Sequence, residues 1–174
     1  MGSFMELYLI RHAIAAPLGK ANEFSDETRA LTDEGRNRMQ ETVKGMRKLG
    51  LEFDLVLSSP LVRAVATAEI VAAGTGLAAN AVRLSVNLMP GASAEALFAE
   101  IKSHSGVESV ALIGHQPDLG LLASRIIQSE EGRASIQLKK GAVCHINVSE
   151  TVPTLRGDLM WLLTPKQLRL LAKV

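Results

Sequence analysis

The chain predicts an α/β fold: a three-layer sandwich with a mostly parallel, mixed central sheet of about six strands and helices on both faces. Three observations carry this expectation. Short apolar runs alternate with amphipathic segments along most of the 174 residues, the pattern of strand–helix units built around a parallel sheet. Val110-Ala111-Leu112-Ile113 is continuously apolar, as in a strand covered on both faces. The last two apolar runs, 142–148 and 155–163, follow each other with no helix between them, which adds an antiparallel edge.

Taken in order, residues 5–11 read as the first buried strand, and residues 13–30 as a polar loop over its end. Thr32 is the expected N-cap of a helix running to about Leu49, with Asp33 and Glu34 in a first turn that favours negative charge. Met39, Val43, Met46 and Leu49 fall on one face, and Gly50 closes the helix. A second short strand over 54–57 is broken by Ser58-Ser59-Pro60. Ser59 as N-cap and Pro60 at the first helical position would open an Ala-rich helix over 61–73. A third strand follows over 82–86, a helix over 94–104, a fourth strand over 109–114 and a helix over 117–128 with Pro117 at its first position. Residues 130–133 read as a mobile surface connection. After strands five and six, Pro165 ends the sheet and 166–172 form a last helix.

Composition bounds the function. One domain over 5–174 is expected, with Met1–Phe4 a vector-derived remnant ahead of a natural start at Met5. Hydrophobic residues make up 47% and aromatics only 3%, so the core should be aliphatic. The formal net charge of +1 argues against a general nucleic-acid binder and a polybasic membrane-surface domain. The single cysteine, Cys144, lies in an alternating apolar stretch and reads as a packed thiol rather than a nucleophile. Without a possible internal disulfide, signal peptide or apolar run of about 20 residues, the expected setting is a reducing cytoplasm.

Three segments place chemically useful residues at strand ends: Leu9-Ile10-Arg11-His12, Ser58 to Ala64 with Arg63 one turn into the next helix, and Ile113-Gly114-His115-Gln116-Pro117. The C-terminal ends of parallel strands share one rim, where open α/β sheets bind ligands. Singly, each has a bland reading: a surface Arg–His pair, an arginine ion-paired to Glu69, a helix-start histidine. Jointly they put two guanidiniums and two imidazoles at one crevice. His104 and His145 read as surface and strand residues, and the four histidines show no metal-ligand spacing.

With those segments in hand, the chain resembles the histidine phosphatase superfamily, the phosphoglycerate-mutase-like fold, over nearly its whole length. Its small size is similar to that of the bacterial phosphohistidine phosphatases of the SixA type. The family's Arg-His-Gly stands here as Arg11-His12-Ala13. The resemblance implies that His12 is the nucleophile attacking phosphorus and that Arg11, Arg63 and an imidazolium at His115 stabilise the phosphoryl oxygens. Preorganised donors of this kind are worth about 3–4 kcal/mol each when removed singly. It implies no cofactor and no metal. Arg29, Ser58 and Asn87 are further candidates for the pocket; Arg29 equally fits a salt bridge to Asp26 or Glu27, and Ser58 and Ser59 equally fit capping.

Larger relatives of this resemblance place an acid after the third strand, where this chain has Asn87-Leu88-Met89-Pro90-Gly91. Glu95 and Asp118 sit in helix first turns, a sufficient reason for both. The missing acid favours a labile leaving group, and the absence of a long lid suits a phosphorylated side chain on another protein. The expectation is therefore a metal-independent phosphatase acting on protein phosphohistidine, for example a histidine-containing phosphotransfer domain. Phosphate or another oxyanion would occupy the site, and neither nucleic acid nor membrane is a partner. The alternatives are a small-molecule phosphomonoesterase and a catalytically weak phosphate-binding regulator.

Overall fold

The computed structural model describes residues 5–18, 26–78, 81–104, 106–128, 134–150 and 155–174, so residues 1–4 and 130–133 lie outside it. Six strands, β1 (Met5–Arg11), β2 (Leu55–Ser58), β3 (Val82–Leu84), β4 (Ser109–Gly114), β5 (Val143–Glu150) and β6 (Arg156–Leu163), form one sheet in the order β3-β2-β4-β1-β5-β6. The first four are parallel to one another, and β5 and β6 add the antiparallel edge. Five helices complete the layers: α1 (Asp33–Lys48), α2 (Val62–Gly74), α3 (Ala94–Ser103), α4 (Asp118–Ile127) and α5 (Pro165–Leu171).

Alternation along the central strands divides the core in two. Leu7, Leu9, Val110 and Leu112 face Phe98 and Ile101 of α3 and Leu119, Leu122 and Ile126 of α4. Tyr8, Ile10, Ala111 and Ile113 face Met39, Val43 and Met46 of α1, Ala64 and Val71 of α2, and Leu168 of α5. Both faces of β1 and β4 are therefore covered, which is why Val110–Ile113 needs no polar residue.

Helix ends follow local chemistry, with two departures from expectation. Thr32 caps α1 by accepting from the Gly35 N–H at 2.9 Å, and Gly50 turns the chain at φ +72°. Thr164 caps α5 in a reciprocal capping box with Gln167. Ser59 does not cap α2: Leu61 holds the N-cap position without a side-chain bond, and the helix starts at Val62, beyond Pro60. The Ser59 hydroxyl accepts from the Leu61 N–H at 3.4 Å and makes its shorter contact across the sheet rim. Likewise Pro117 holds the N-cap position of α4 rather than the first helical one, and α4 begins at Asp118. The third strand ends at Leu84, because Ser85 caps a 3-10 turn over Val86–Leu88.

The α1–α5 contact depends on a missing side chain. A Cβ on Gly45 would lie 1.9 Å from the Leu168 carbonyl oxygen, a backbone atom that cannot step aside. Gly45→Ala should lower the unfolding free energy by about 1–3 kcal/mol, the usual cost of overpacking, as measured by urea denaturation. A change within error would show that α5 moves freely against α1.

Candidate active site

Sheet register builds the site. Arg11 pairs with Gly114 across β1 and β4, and Ser58 pairs with Ile113 across β2 and β4. Pairing runs one step past the strands: the His12 N–H donates to the Gly114 carbonyl at 3.0 Å, and the Ser59 N–H to the Ile113 carbonyl at 2.9 Å. The three strands thus deliver His12, Ser59 and His115 to one rim, all buried.

His12 is fixed by its neighbour. Its Nδ1 lies 2.7 Å from the Ala13 carbonyl oxygen, which can only accept, so the proton resides on Nδ1 and the Nε2 lone pair is available. Ala13 is held in turn: its N–H donates to Thr67 Oγ1 at 3.1 Å, and that hydroxyl donates to the Arg63 carbonyl at 2.7 Å. Arg63 is 4% exposed. It donates from Nε to His12 Nε2 at 3.3 Å, from Nη1 to the Asp26 carbonyl at 2.6 Å and from Nη2 to the Asp26 carboxylate at 2.9 Å. The bland alternative of an ion pair to Glu69 does not hold: Arg63 pairs with Asp26, which reaches across from the 3-10 turn Asp26–Thr28.

His115 faces His12 with ring centroids 5.2 Å apart. Its Nε2 lies 2.8 Å from Ser59 Oγ, and its buried Nδ1 has no hydrogen-bond partner among the described residues. Arg11 donates from Nη1 to the Leu138 carbonyl at 2.8 Å, while its buried Nε is unpartnered. Arg29 reaches the cluster only through Asp26, whose carboxylate it meets at 2.8 Å; it also donates from Nε to the Ala16 carbonyl. Ser58 turns its hydroxyl to the Ser59 carbonyl rather than to either histidine. Asn87 is set apart as well: its amide donates to Glu100 at 2.8 Å, and it lines an apolar cleft of about 540 Å³ that reaches His115 past Leu88, Met89, Leu119 and Leu122.

Sequence reasoning undervalued Ser59 and Asp26 and gave Thr67 no role. Thr67 lies four residues after Arg63 on α2, a same-face spacing that could have been read. The contacts of Asp26 and Ser59 span 37 and 56 residues, and no local pattern announces them.

The electrostatics favour neutral histidines. Burial, joined by the charges of His115, Arg63 and Arg11, lowers His12 to about 3 against the upward pull of its Ala13 bond. Burial, with Arg63 and Arg11, lowers His115 to about 4, although Asp26 and Asp118 oppose it. Desolvation and adjacent guanidiniums disfavour a further cation at His115, so the expected imidazolium there needs the negative charge of an anion beside it. Burial of the Asp26 carboxyl pushes it up, but hydrogen bonds and charge from Arg63 and then Arg29 outweigh this and hold it below the usual carboxylate range. Among the described residues no group of three or more His, Cys, Asp or Glu is arranged to hold a metal ion. Cys144 is fully buried, and burial pushes its thiol up to about 12. His145 sits on β5, buried against Tyr8 and paired with Glu6. No helix among the described residues is long and apolar enough to cross a membrane.

Residues 7–85 match the family model of the histidine phosphatase superfamily, branch 1. An uncharacterised protein of Picosynechococcus sp. is 37% identical over 141 residues, which cover 80% of this chain and 82% of that protein. The phosphohistidine phosphatase SixA of Escherichia coli K12 is 26% identical over 168 residues, covering 95% of this chain and 98% of SixA. The solved structure of the protein histidine phosphatase SixA complexed with tungstate superposes with a TM-score of 0.81 at 26% identity, over 94% of this chain and 99% of that one.

The buried neutral histidines set a pH dependence of stability. Once unfolded, each titrates near 6.5; folded, they do so near 3 and 4. Between those values the unfolded chain binds protons that the folded chain does not, so stability falls as pH falls through this window. The loss should approach about 1.4 kcal/mol per pH unit for each histidine well below pH 6.5 and level off near pH 3. Urea unfolding of the wild type and of H12Q/H115Q between pH 7 and 5 measures it. The double variant should show the shallower slope; equal slopes would mean that other groups carry the effect.

Proposed function

The chain belongs to the histidine phosphatase superfamily and is a phosphatase of that type; from that premise we propose that it removes phosphoryl groups from phosphohistidine on a protein, through a phosphohistidine intermediate on His12. The observation that carries this is the Nδ1 bond to the Ala13 carbonyl, which leaves Nε2 as the nucleophilic atom. In the free protein that lone pair accepts from Arg63 Nε. When a phosphoryl group arrives, the Arg63 N–H groups turn from His12 and Asp26 to its oxygens, and Nε2 is released to attack in line. The Nε2–P bond forms as the bond from phosphorus to the leaving nitrogen breaks, and that nitrogen keeps the electron pair. A leaving imidazole whose other nitrogen already carries a proton departs neutral, so no acid is required. The phosphorylated His12 ring is cationic, and its Nδ1–H donates more strongly to the Ala13 carbonyl. Water then bonds to phosphorus, the P–Nε2 pair returns to the ring, and the water proton passes to solvent.

Arg11, Arg63 and His115 hold the equatorial oxygens. His115 enters as a neutral donor, and a bound dianion raises its affinity for a proton. Ser59 sets its ring through the 2.8 Å contact at Nε2. The substrate class is supported by two features. The SixA relatives carry phosphohistidine phosphatase in their names, and one is complexed with tungstate, a phosphate-like oxyanion. Among the described residues, no carboxylate bonds a ring nitrogen of His12 or His115, which suits a leaving group that needs no acid. A cytoplasmic setting belongs to the same proposal.

Brief exposure to a labelled phosphohistidine peptide, followed by an alkaline quench, should trap acid-labile phosphate on wild-type protein and none on His12→Ala. Unchanged turnover in His12→Ala would sink the mechanism, and preference for sugar phosphates over the peptide would sink the substrate. Arg63→Ala should lower kcat/KM by about two to three orders of magnitude, corresponding to about 3–4 kcal/mol.

Asp26→Asn keeps an oxygen acceptor for Arg63 but removes a negative charge beside the anion. Inorganic phosphate should therefore inhibit this variant at a severalfold lower concentration. Weaker inhibition would show that the carboxylate positions Arg63 more than it competes with the anion.

A further inference from the structure

A second cleft, of about 640 Å³, opens on the other side of β1 and shares Arg11 and Ala13 with the site. Its walls carry Arg38 from α1, Lys139 and Lys140 from the segment ahead of β5, and Lys166 and Arg169 from α5. Among the described residues, neither the three lysines nor Arg169 pairs with a carboxylate. Arg38 has only an exposed pair with Glu34 four residues earlier, a kind worth little. An adjoining depression of about 480 Å³ carries the strip on past Lys166 and Arg169 to Lys173, and the carboxylate in its wall, Glu41, is taken by Lys44.

The whole chain has a formal net charge of only +1, so this gathering is local. Uncompensated like charges repel one another and raise the energy of the folded state; what they supply is attraction and orientation of an opposite charge. The groove begins at a residue of the phosphoryl site and leads away from it across two helices and a loop. Its extent exceeds what one compact anion can contact.

We propose that this groove docks an acidic surface of the phosphoprotein substrate, with carboxylates beside the phosphorylated histidine lying along Lys139, Lys140, Lys166 and Arg169. The identity of the partner as substrate rests on the function proposed above; the binding of an acidic chain does not. Arg11 links the two regions, so a partner seated in the groove presents its phosphoryl group toward His12.

The test is binding of a fluorescent, unphosphorylated peptide with one histidine between runs of glutamate, measured by anisotropy beside a matched serine peptide. Wild-type protein should bind the acidic peptide at least about tenfold more tightly at about 0.05 M salt, and the difference should vanish near 0.5 M as screening shortens the reach of each charge. The variant K139E/K140E/K166E/R169E should lose the preference while hydrolysing a small aryl phosphate at the wild-type rate, which also reports its folding. Equal binding of both peptides by the wild type, or a preference retained by the variant, overturns the proposal. So does tight, variant-sensitive binding of inorganic tripolyphosphate without binding of the peptide, which would make the occupant a small polyanion. Because the peptide-binding readout requires no turnover, a protein that binds the acidic peptide yet ignores phosphohistidine refutes the substrate and leaves the groove.

Discussion

The hydrogen bond from His12 Nδ1 to the Ala13 carbonyl is the constraint on which the site rests. It joins a side chain to the backbone of the next residue, so the ring direction is set by where the chain leaves β1. That exit is fixed from two sides. The His12 N–H is held by β4 through Gly114, and the Ala13 N–H is held by α2 through Thr67. Thr67 Oγ1 also donates to the Arg63 carbonyl, so the turn that carries the guanidinium is tied to the turn that carries the imidazole. The His12 imidazole and the Arg63 guanidinium beside it are positioned by one short chain of bonds. A shift in α2 moves both, and their spacing is preserved.

The same compactness creates an electrostatic conflict. Two guanidiniums and two imidazoles meet in a poorly solvated crevice, and four cations there would repel strongly. Arginine cannot yield its proton, so the histidines yield theirs. The result suits the chemistry, because a nucleophilic imidazole must be neutral. Asp26 removes part of the remaining excess by neutralising Arg63 and Arg29 together. On the function proposed above, a phosphoryl dianion would supply the same neutralisation, making Asp26 and substrate alternative partners for Arg63. Binding can then exchange one anion for another without leaving a buried cation bare, which is the costly state.

The fold was largely legible because its signals are local. Period-two and period-3.6 patterns mark the strands and helices, and Thr32 and Gly50 mark the ends of α1. The sheet edge was legible from the absence of a helix between the last two strands. Local rules failed where a side chain has a distant competitor. Ser59-Pro60 reads as a helix start, and Ser59 does accept weakly from the Leu61 N–H, but its shorter contact is to His115, 56 residues away. Asp26 reads as a loop residue with a nearby arginine partner, and it does bind Arg29; its second bond, to Arg63, depends on how the loop folds over the rim. The strand end puts His115 at the rim facing His12, and its lowered proton affinity there depends on desolvation that a sequence does not display.

The carboxylates that remain near the site bear on its leaving group. Glu95 pairs with Arg125 and Ser93 and is held down to about 2, so it is no reservoir of protons at neutral pH. Asp118 accepts from the Gly91 N–H at 3.0 Å, and Asp26 is held ionised by two arginines. Each of these three groups is committed to a structural partner, and none lies against a ring nitrogen of His12 or His115. An alkoxide expelled here would have to take its proton from water or from His115, which is neutral before the anion binds and then becomes more basic. Such a proton is weakly driven, whereas a phosphorylated imidazole brings its own. On the function proposed above, the charge state of the described residues would select against substrates that need an acid, independently of the shape of the clefts around them.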